Sequence, residues 1–338
     1  MEIKERYGYW REAGEMNSRW RSALLTVCSP TILLIACSGS PFCSPVFDQE
    51  SRTADEKTSE SITAVRSAAE GGDATAQFNL GDMYARGQGV PQEYAEAVRW
   101  FRKAAEQGNV TAQFNLGYMY DEGIGVPQDF AEALRWFQKA AERGNPEAEF
   151  NLGVMHYKGR GVPQDYAEAT RWYRKAAEQG DKEAEFNLGV IYYQGSGVPQ
   201  DFAEATRWYR KAAEQGDAKA QFNLGVMYSL GQGMLQDYAA AAMWYRKAAE
   251  QGDLDAQLKL GVMCAKGQGV LLNYVEAHMW LNLAASRANG DAQQRSAAAR
   301  DLVAGQMTPE QIAEAQRLAR EWKPKKQAIN PGVRDDRQ

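Results

Sequence analysis

The chain has 338 residues, 44% hydrophobic and 25% charged, the balance of a soluble globular protein. Its net charge is −5 and no strongly basic domain stands out, so no nucleic-acid partner is expected. Four cysteines are too few for a disulfide scaffold, and two histidines, His156 and His278, leave little material for metal or acid–base chemistry.

Residues 16–40 read MNSRWRSALLTVCSPTILLIACSGS. Arg19 and Arg21 precede a mostly apolar stretch from Ala23 to Ala36, too short to span a membrane comfortably as a helix. This is the layout of a secretory signal over residues 1–36, interrupted by Cys28 and Pro30, with Met16 a more usual start than Met1. Its end, Leu34-Ile35-Ala36-Cys37, resembles a bacterial lipobox. That resemblance implies cleavage before Cys37 and lipidation of this cysteine, with Ser38 in place of the aspartate that retains lipoproteins at the inner membrane. A plain export signal and a fortuitous apolar run in a cytosolic protein stay open as alternatives. Behind Cys37, residues 38–60 are polar with two prolines and read as a flexible tether. At about 3.3 Å per residue its reach is roughly 75 Å.

Residues 61–71 read as a capping helix. From Gly72 the chain repeats every 36 residues, in units 72–107, 108–143, 144–179, 180–215, 216–251 and 252–287. Each unit opens on Gly followed by Asp or Asn; the glycine ends one helix and the next residue caps another. In the third unit, helix A carries Ala148, Leu152 and Met155 at i, i+4 and i+7, an apolar stripe. Gly153 suggests a close helix–helix approach. Helix B opens at Asp165 with Glu168 three residues on, in the manner of a capping box, and Asp129 with Glu132 and Asp201 with Glu204 repeat the pair. Its buried stripe is Ala169, Trp172, Tyr173 and Ala176. The recurring Trp100, Trp136, Trp172, Trp208, Trp244 and Trp280 are expected in the core.

Between the helices lies a glycine-rich stretch, GQGVPQ at 87, which recurs at 123, 159 and 195. Gly-rich loops ahead of helices can cradle phosphate, but here no lysine follows in the manner of a P-loop and the motif is in every repeat. A turn is expected. The last two copies, GQGMLQ and GQGVLL, replace the proline with apolar Met234-Leu235 and Leu271-Leu272. After the repeats, residues 288–322 offer two capping helices, one over 291–303 and one starting at Thr308. Residues 323–338 read as disordered. Stacked helix pairs that share one continuous core predict an all-α fold, an α-solenoid.

The repeated pattern A-x-F-N-L-G-x-M-Y-x-x-G-x-G-V-P-Q-D-Y-x-E-A-x-x-W-Y closely resembles the Sel-one-like repeat, a relative of the tetratricopeptide repeat. The resemblance implies a right-handed superhelix of antiparallel helix pairs with the A helices on the concave side. It also implies an adaptor or scaffold that binds proteins or peptides, often at membranes and, in bacteria, often exported. By analogy with tetratricopeptide grooves, the variable A-helix positions form three rows. The first includes Tyr118, Val154 and Val190, the second Asp121, Tyr157 and Tyr193, and the third Glu122, Lys158 and Gln194. Positions identical in every unit are read as packing or turn positions.

Chemistry finds no foothold in the motifs. Neither a His-Glu-x-x-His nor a Ser-x-x-Lys motif occurs. His156 stands where other repeats carry tyrosine, and reads as a packing ring; His278 lies in a B helix. Cys264 is the one cysteine of the repeats, so the cysteine pair of a β-lactam-binding branch of the family is missing, and Cys43 in the tether has no evident mate. The expectation is a non-enzymatic protein- or peptide-binding scaffold without cofactor or metal. It would face the periplasm on a lipid anchor, or be soluble and exported. The alternatives are an intracellular signalling adaptor, if the signal is not cleaved, and a hydrolase.

Overall fold

The computed structural model describes residues 61–325. The signal-like segment, the tether with Cys37 and Cys43, and residues 326–338 lie outside the described residues. Fifteen helices and no strand occur among those described. α1 covers 61–70. The repeats follow as pairs: α2 (Ala74–Arg86) with α3 (Tyr94–Glu106), α4 (Val110–Glu122) with α5 (Phe130–Ala141), and α6 (Pro146–Lys158) with α7 (Tyr166–Glu178). Then come α8 (Lys182–Gln194) with α9 (Phe202–Glu214), α10 (Ala218–Leu230) with α11 (Tyr238–Gln251), and α12 (Leu254–Lys266) with α13 (Tyr274–Arg287). α14 (Gly290–Ala304) and α15 (Pro309–Glu321) close the described chain.

Most helices begin where a side chain satisfies the first backbone donors; Glu93 and Asn289, ahead of α3 and α14, do not cap. Asp181 accepts from the Ala184 N–H at 2.8 Å, and Asp73, Asn109, Asn145, Asp217 and Asp253 do the same in their repeats. Each such cap contributes about 1 kcal/mol. At the B helices Asp129, Asp165 and Asp201 also cap, but the glutamate half of the expected capping box is not made. The backbone N–H that the glutamate would accept already donates to helix A, from Asp165 to the His156 carbonyl at 2.9 Å and from Asp201 to that of Tyr192 at 2.9 Å. Glu132, Glu168 and Glu204 pair instead with Arg135, Arg171 and Arg207. A reciprocal box forms at Thr308 and Gln311, where no helix A competes for the N–H.

The GxGVPQ stretch is a turn. Gly159 ends α6 in the left-handed conformation, φ 69°. The glutamine then reaches back and donates to an open carbonyl of helix A, as Gln164 does to Tyr157 and Gln200 to Tyr193. The second glycine is needed for contact. A Cβ at Gly161 would sit 2.8 Å from the Phe130 carbonyl oxygen, so each turn presses on the start of the preceding B helix.

By contact the described chain divides into two compact units, 61–112 with Ile124–Val126, and Gln113–Gly123 with 127–325. In the first, α1 takes the place of a B helix: Ala69 packs with Ala76 and Leu80, with Val65, Met83, Tyr84 and Trp100 around them. In the second, each B helix packs against its own helix A and against the next one. The glycine of the A helix meets a ring of its own B helix, except in the sixth repeat, where Gly261 meets Leu281. A Cβ on Gly117 would lie 2.8 Å from Phe137, on Gly153 2.6 Å from Tyr173 and on Gly225 2.7 Å from Tyr245. Of the six recurring tryptophans Trp136, Trp208, Trp244 and Trp280 are core as expected, whereas Trp100 and Trp172 are half-buried. Lysines three residues on, such as Lys139 and Lys211, lie over the Trp136 and Trp208 rings. At the far end α14 and α15 cover α13, burying Val303 in the last cluster.

The first residues of the stretch expected to be disordered, Lys323 to Lys325, are held against the fold. Trp322 stacks edge-on against Trp280 at 6.2 Å. Lys325 donates its N–H to the Glu250 carbonyl at 2.8 Å and its ammonium to the Glu250 carboxylate. A hydrophobic ring and an ion pair hold this stretch, which composition alone did not weigh.

Overpacking at the glycine contact tests this account. Gly153→Ala should lower unfolding free energy by about 1–3 kcal/mol in urea, because the Tyr173 ring has no room to move aside.

Candidate functional site

An A helix presents its outer face at intervals of four and three residues. In α6 that face is Glu147, Asn151, Val154 and Lys158, all exposed or half-buried. The first and third expected rows lie on it: Tyr118 and Glu122 in α4, Val154 and Lys158 in α6, Gln194 in α8. Val190 belongs to the same row but is only 8% exposed. Its side chain contributes floor rather than rim.

The second row is elsewhere. Tyr157 stacks edge-on against Tyr166 at 5.1 Å, and Tyr193 against Phe202 at 5.4 Å. The turn has a fixed length, so it delivers the first aromatic of helix B onto this position in each of these repeats. Burial also raises the Tyr157 hydroxyl pKa above its usual range. These rings are half-buried packing groups, not the open hot spots expected of them. Asp121, in the same row, is 5% exposed. Its carboxylate faces Arg160 at 3.6 Å, and its Oδ1 has no hydrogen-bond partner. Burial pushes this carboxyl above the ordinary aspartate range despite the pull of Arg160. Nearby Lys158 is pushed down by its own desolvation and by Arg160.

One row went unread. Asn115, Asn151, Asn187 and Asn223 occupy one register on the A helices, three residues before Tyr118, Val154, Val190 and Val226. Residues three apart share a helix face, and all four asparagines are half-buried rather than buried. Asn151 donates to the Glu147 carbonyl of its own helix at 2.7 Å. Asn115, Asn187 and Asn223 have no side-chain hydrogen bond within the described residues. The register holds asparagine in five repeats, Asn79 included, and Lys259 in the sixth. The missing signal was that asparagine is a poor mid-helix residue and that apolar packing does not need an amide.

His156, His278 and Cys264 lie among the packed helices. Where other repeats have tyrosine, an arginine 18 residues earlier donates to its hydroxyl, as Arg66 does to Tyr84 and Arg210 to Tyr228. His156 stands at that position, half-buried, and residue 138 is glutamine. Cys264 stands there too, fully buried, its thiol pushed up to about 12 by burial. Arg246 pairs with Glu276 instead. His278 is 3% exposed. No group of histidine, cysteine, aspartate and glutamate among the described residues could hold a metal ion.

Exposed large apolar side chains gather in repeats five and six: Leu230, Leu235, Met243, Leu271 and Leu272, with Leu235 and Leu271 90% exposed. Loss of the proline from both turns puts leucine at their tips.

The two kinds of A-helix position should separate in urea. Tyr157→Ala should cost about 2 kcal/mol or more through the lost ring contact, whereas Lys158→Ala should stay within about 0.5 kcal/mol.

Comparison with known proteins agrees with this architecture. The Sel1 repeat model matches residues 74–109, 110–145, 146–181, 182–217, 218–253 and 254–289. Among solved structures, a protective antigen of uropathogenic Escherichia coli strains displaying an SLR fold is 41% identical, with a TM-score of 0.69. The match covers 77% of this chain but only 56% of that one. A Sel1 repeat protein from Oxalobacter formigenes is 33% identical, with a TM-score of 0.59, over 75% of this chain and 100% of that one. No curated protein matches the chain. With six matched repeats forming stacked helix pairs of the kind that typically serves protein–protein interaction, the chain belongs to the Sel1 repeat family.

Proposed function

We propose that this chain is a non-enzymatic scaffold that holds an extended segment of another protein along its A-helix face. The observation that carries this reading is the asparagine row. A side-chain amide offers one donor and one acceptor, the complement of a peptide group. Four such amides recur at the pitch of the repeat, and three have no internal partner. Beside them Tyr118, Val154, Val190 and Val226 supply an apolar strip for side chains. Main-chain pairing gives affinity with little sequence demand, and the variable row of Glu122, Lys158, Gln194 and Leu230 then sets preference. A rigid array of helices holds these groups in place before binding, which limits the entropy lost.

We place this scaffold at the bacterial cell envelope, anchored through Cys37. Leu34-Ile35-Ala36-Cys37 and the polar tether behind it support that placement.

Photoreactive residues at Val154 and Gln194 should yield a protein adduct in cells, while one at Arg171 on helix B should not. Equal labelling at all three positions would overturn the groove. The combined variant Asn151→Ala, Asn187→Ala, Asn223→Ala should lose that adduct at least tenfold while keeping its stability. Helix propensity even favours alanine by roughly 0.5 kcal/mol per site. Incorporated palmitate that disappears in Cys37→Ser supports the anchor; an unlabelled, cytosolic chain points to the intracellular adaptor.

A further inference from the structure

The fifth residue after each repeat's opening glycine is buried and polar. It is glutamine in four repeats, Gln77, Gln113, Gln221 and Gln257, and glutamate in repeats three and four, Glu149 and Glu185. The glutamines show what the position does. Gln77, Gln221 and Gln257 donate to the carbonyl eight residues back, in the last turn of the preceding B helix, at 3.0–3.1 Å. In Gln77 and Gln221 the carbonyl side accepts from the glutamine that ends helix B of the same repeat, Gln107 on Gln77 at 2.7 Å and Gln251 on Gln221 at 2.8 Å; repeat six ends its helix B in Arg287, and the Gln257 Oε1 has no hydrogen-bond partner. One amide thus ties a repeat to itself and to the repeat before it.

The glutamates keep the second bond. Gln179 donates to Glu149 at 2.7 Å and Gln215 to Glu185 at 2.8 Å. The first bond needs a donor, and an ionised carboxylate has none. At the equivalent place stand the carbonyls of Ala141 and Ala177. A carboxylate would set oxygen against oxygen in a buried site. A protonated carboxyl would restore the glutamine pattern, with its O–H on that carbonyl. We propose that Glu149 and Glu185 are a proton-controlled clasp between consecutive repeats, closed when the carboxyls are protonated and released when they ionise.

The surroundings favour the proton. Burial pushes both carboxyls above the ordinary glutamate range, Glu185 to about 7. Gln179 and Lys175 pull Glu149 back and Glu178 adds to the rise; Gln215 and Lys211 pull Glu185 back, while Asp181 and Glu214 add to it. A folded-state pKa above the unfolded value stabilises the fold in acid. The contribution is complete below the unfolded glutamate pKa and is lost as pH rises through about 7 for Glu185.

Thermal unfolding of the wild type, Glu149→Gln, Glu185→Gln and the double variant, from pH 5 to pH 8.5, tests the clasp. The glutamines already present in four repeats make these variants compatible with the fold. Wild-type Tm should fall by about 5 °C over this range. The double variant should match it at pH 5, stay nearly level, and exceed it at pH 8.5. Exposed Glu147→Gln should keep the wild-type profile. Parallel profiles for wild type and double variant would overturn the proposal, as would a side-chain carboxyl NMR titration of Glu185 with its midpoint in the ordinary glutamate range.

Discussion

The helix pairs of the first five repeats depend on the absence of one carbon atom. At Gly81, Gly117, Gly153, Gly189 and Gly225 of the A helices, the space a Cβ would need is filled by a ring of the paired B helix. That contact sets the separation of the two axes, because interiors pack with little slack. The separation in turn determines where the short turn lands. Its second glycine rests on the backbone of the preceding B helix, as Gly161 does on Phe130. Spacing inside a repeat therefore determines spacing between repeats, and the buried alanines, such as Ala148, Ala169, Ala176 and Ala184, fit only at that distance.

This economy leaves one face unclaimed. Caps use the aspartates, turns use the glutamines, and the rings and alanines make the core. On the A helices the remaining positions are an asparagine row, an apolar row and a variable row. The same order buries groups that the sequence offers for chemistry. Cys264 is sealed, and His156 and His278 sit among packed helices. What differs between repeats is then informative. Two glutamates replace glutamine at a buried junction in repeats three and four, and leucine replaces proline at the turns of repeats five and six. Both departures are local changes on a backbone that the other repeats keep constant.

Much of the fold was legible because repeats are their own controls. Helix starts at Asp181 or Thr308, the glycine stop at Gly159 and the ring register at Trp208 follow from local rules. These are interactions within a few residues, or within the 36-residue unit. The site was less legible. Tyr157 and Tyr193 vary and carry polar tips, so sequence placed them in the groove, and the turn instead brings Tyr166 and Phe202 over them. Asp121 is charged yet buried beside Arg160. Glu168 has capping spacing, but the Asp165 N–H is already bonded to helix A.

By itself, then, the sequence determined the helices, their caps, the pairing of glycine with ring and the number of repeats, because each depends on short spacings that recur. Only the tertiary structure decided which A-helix positions stay uncovered by the fold, that Asn115, Asn187 and Asn223 make no side-chain hydrogen bond within the described residues, and that two buried carboxyls stand where amides bridge repeats. Those properties depend on neighbours 8 to 30 residues away, such as Ala213 and Gln251 around Gln221. Which atoms such neighbours leave uncovered is a matter of how whole helices pack, and no residue's identity states it.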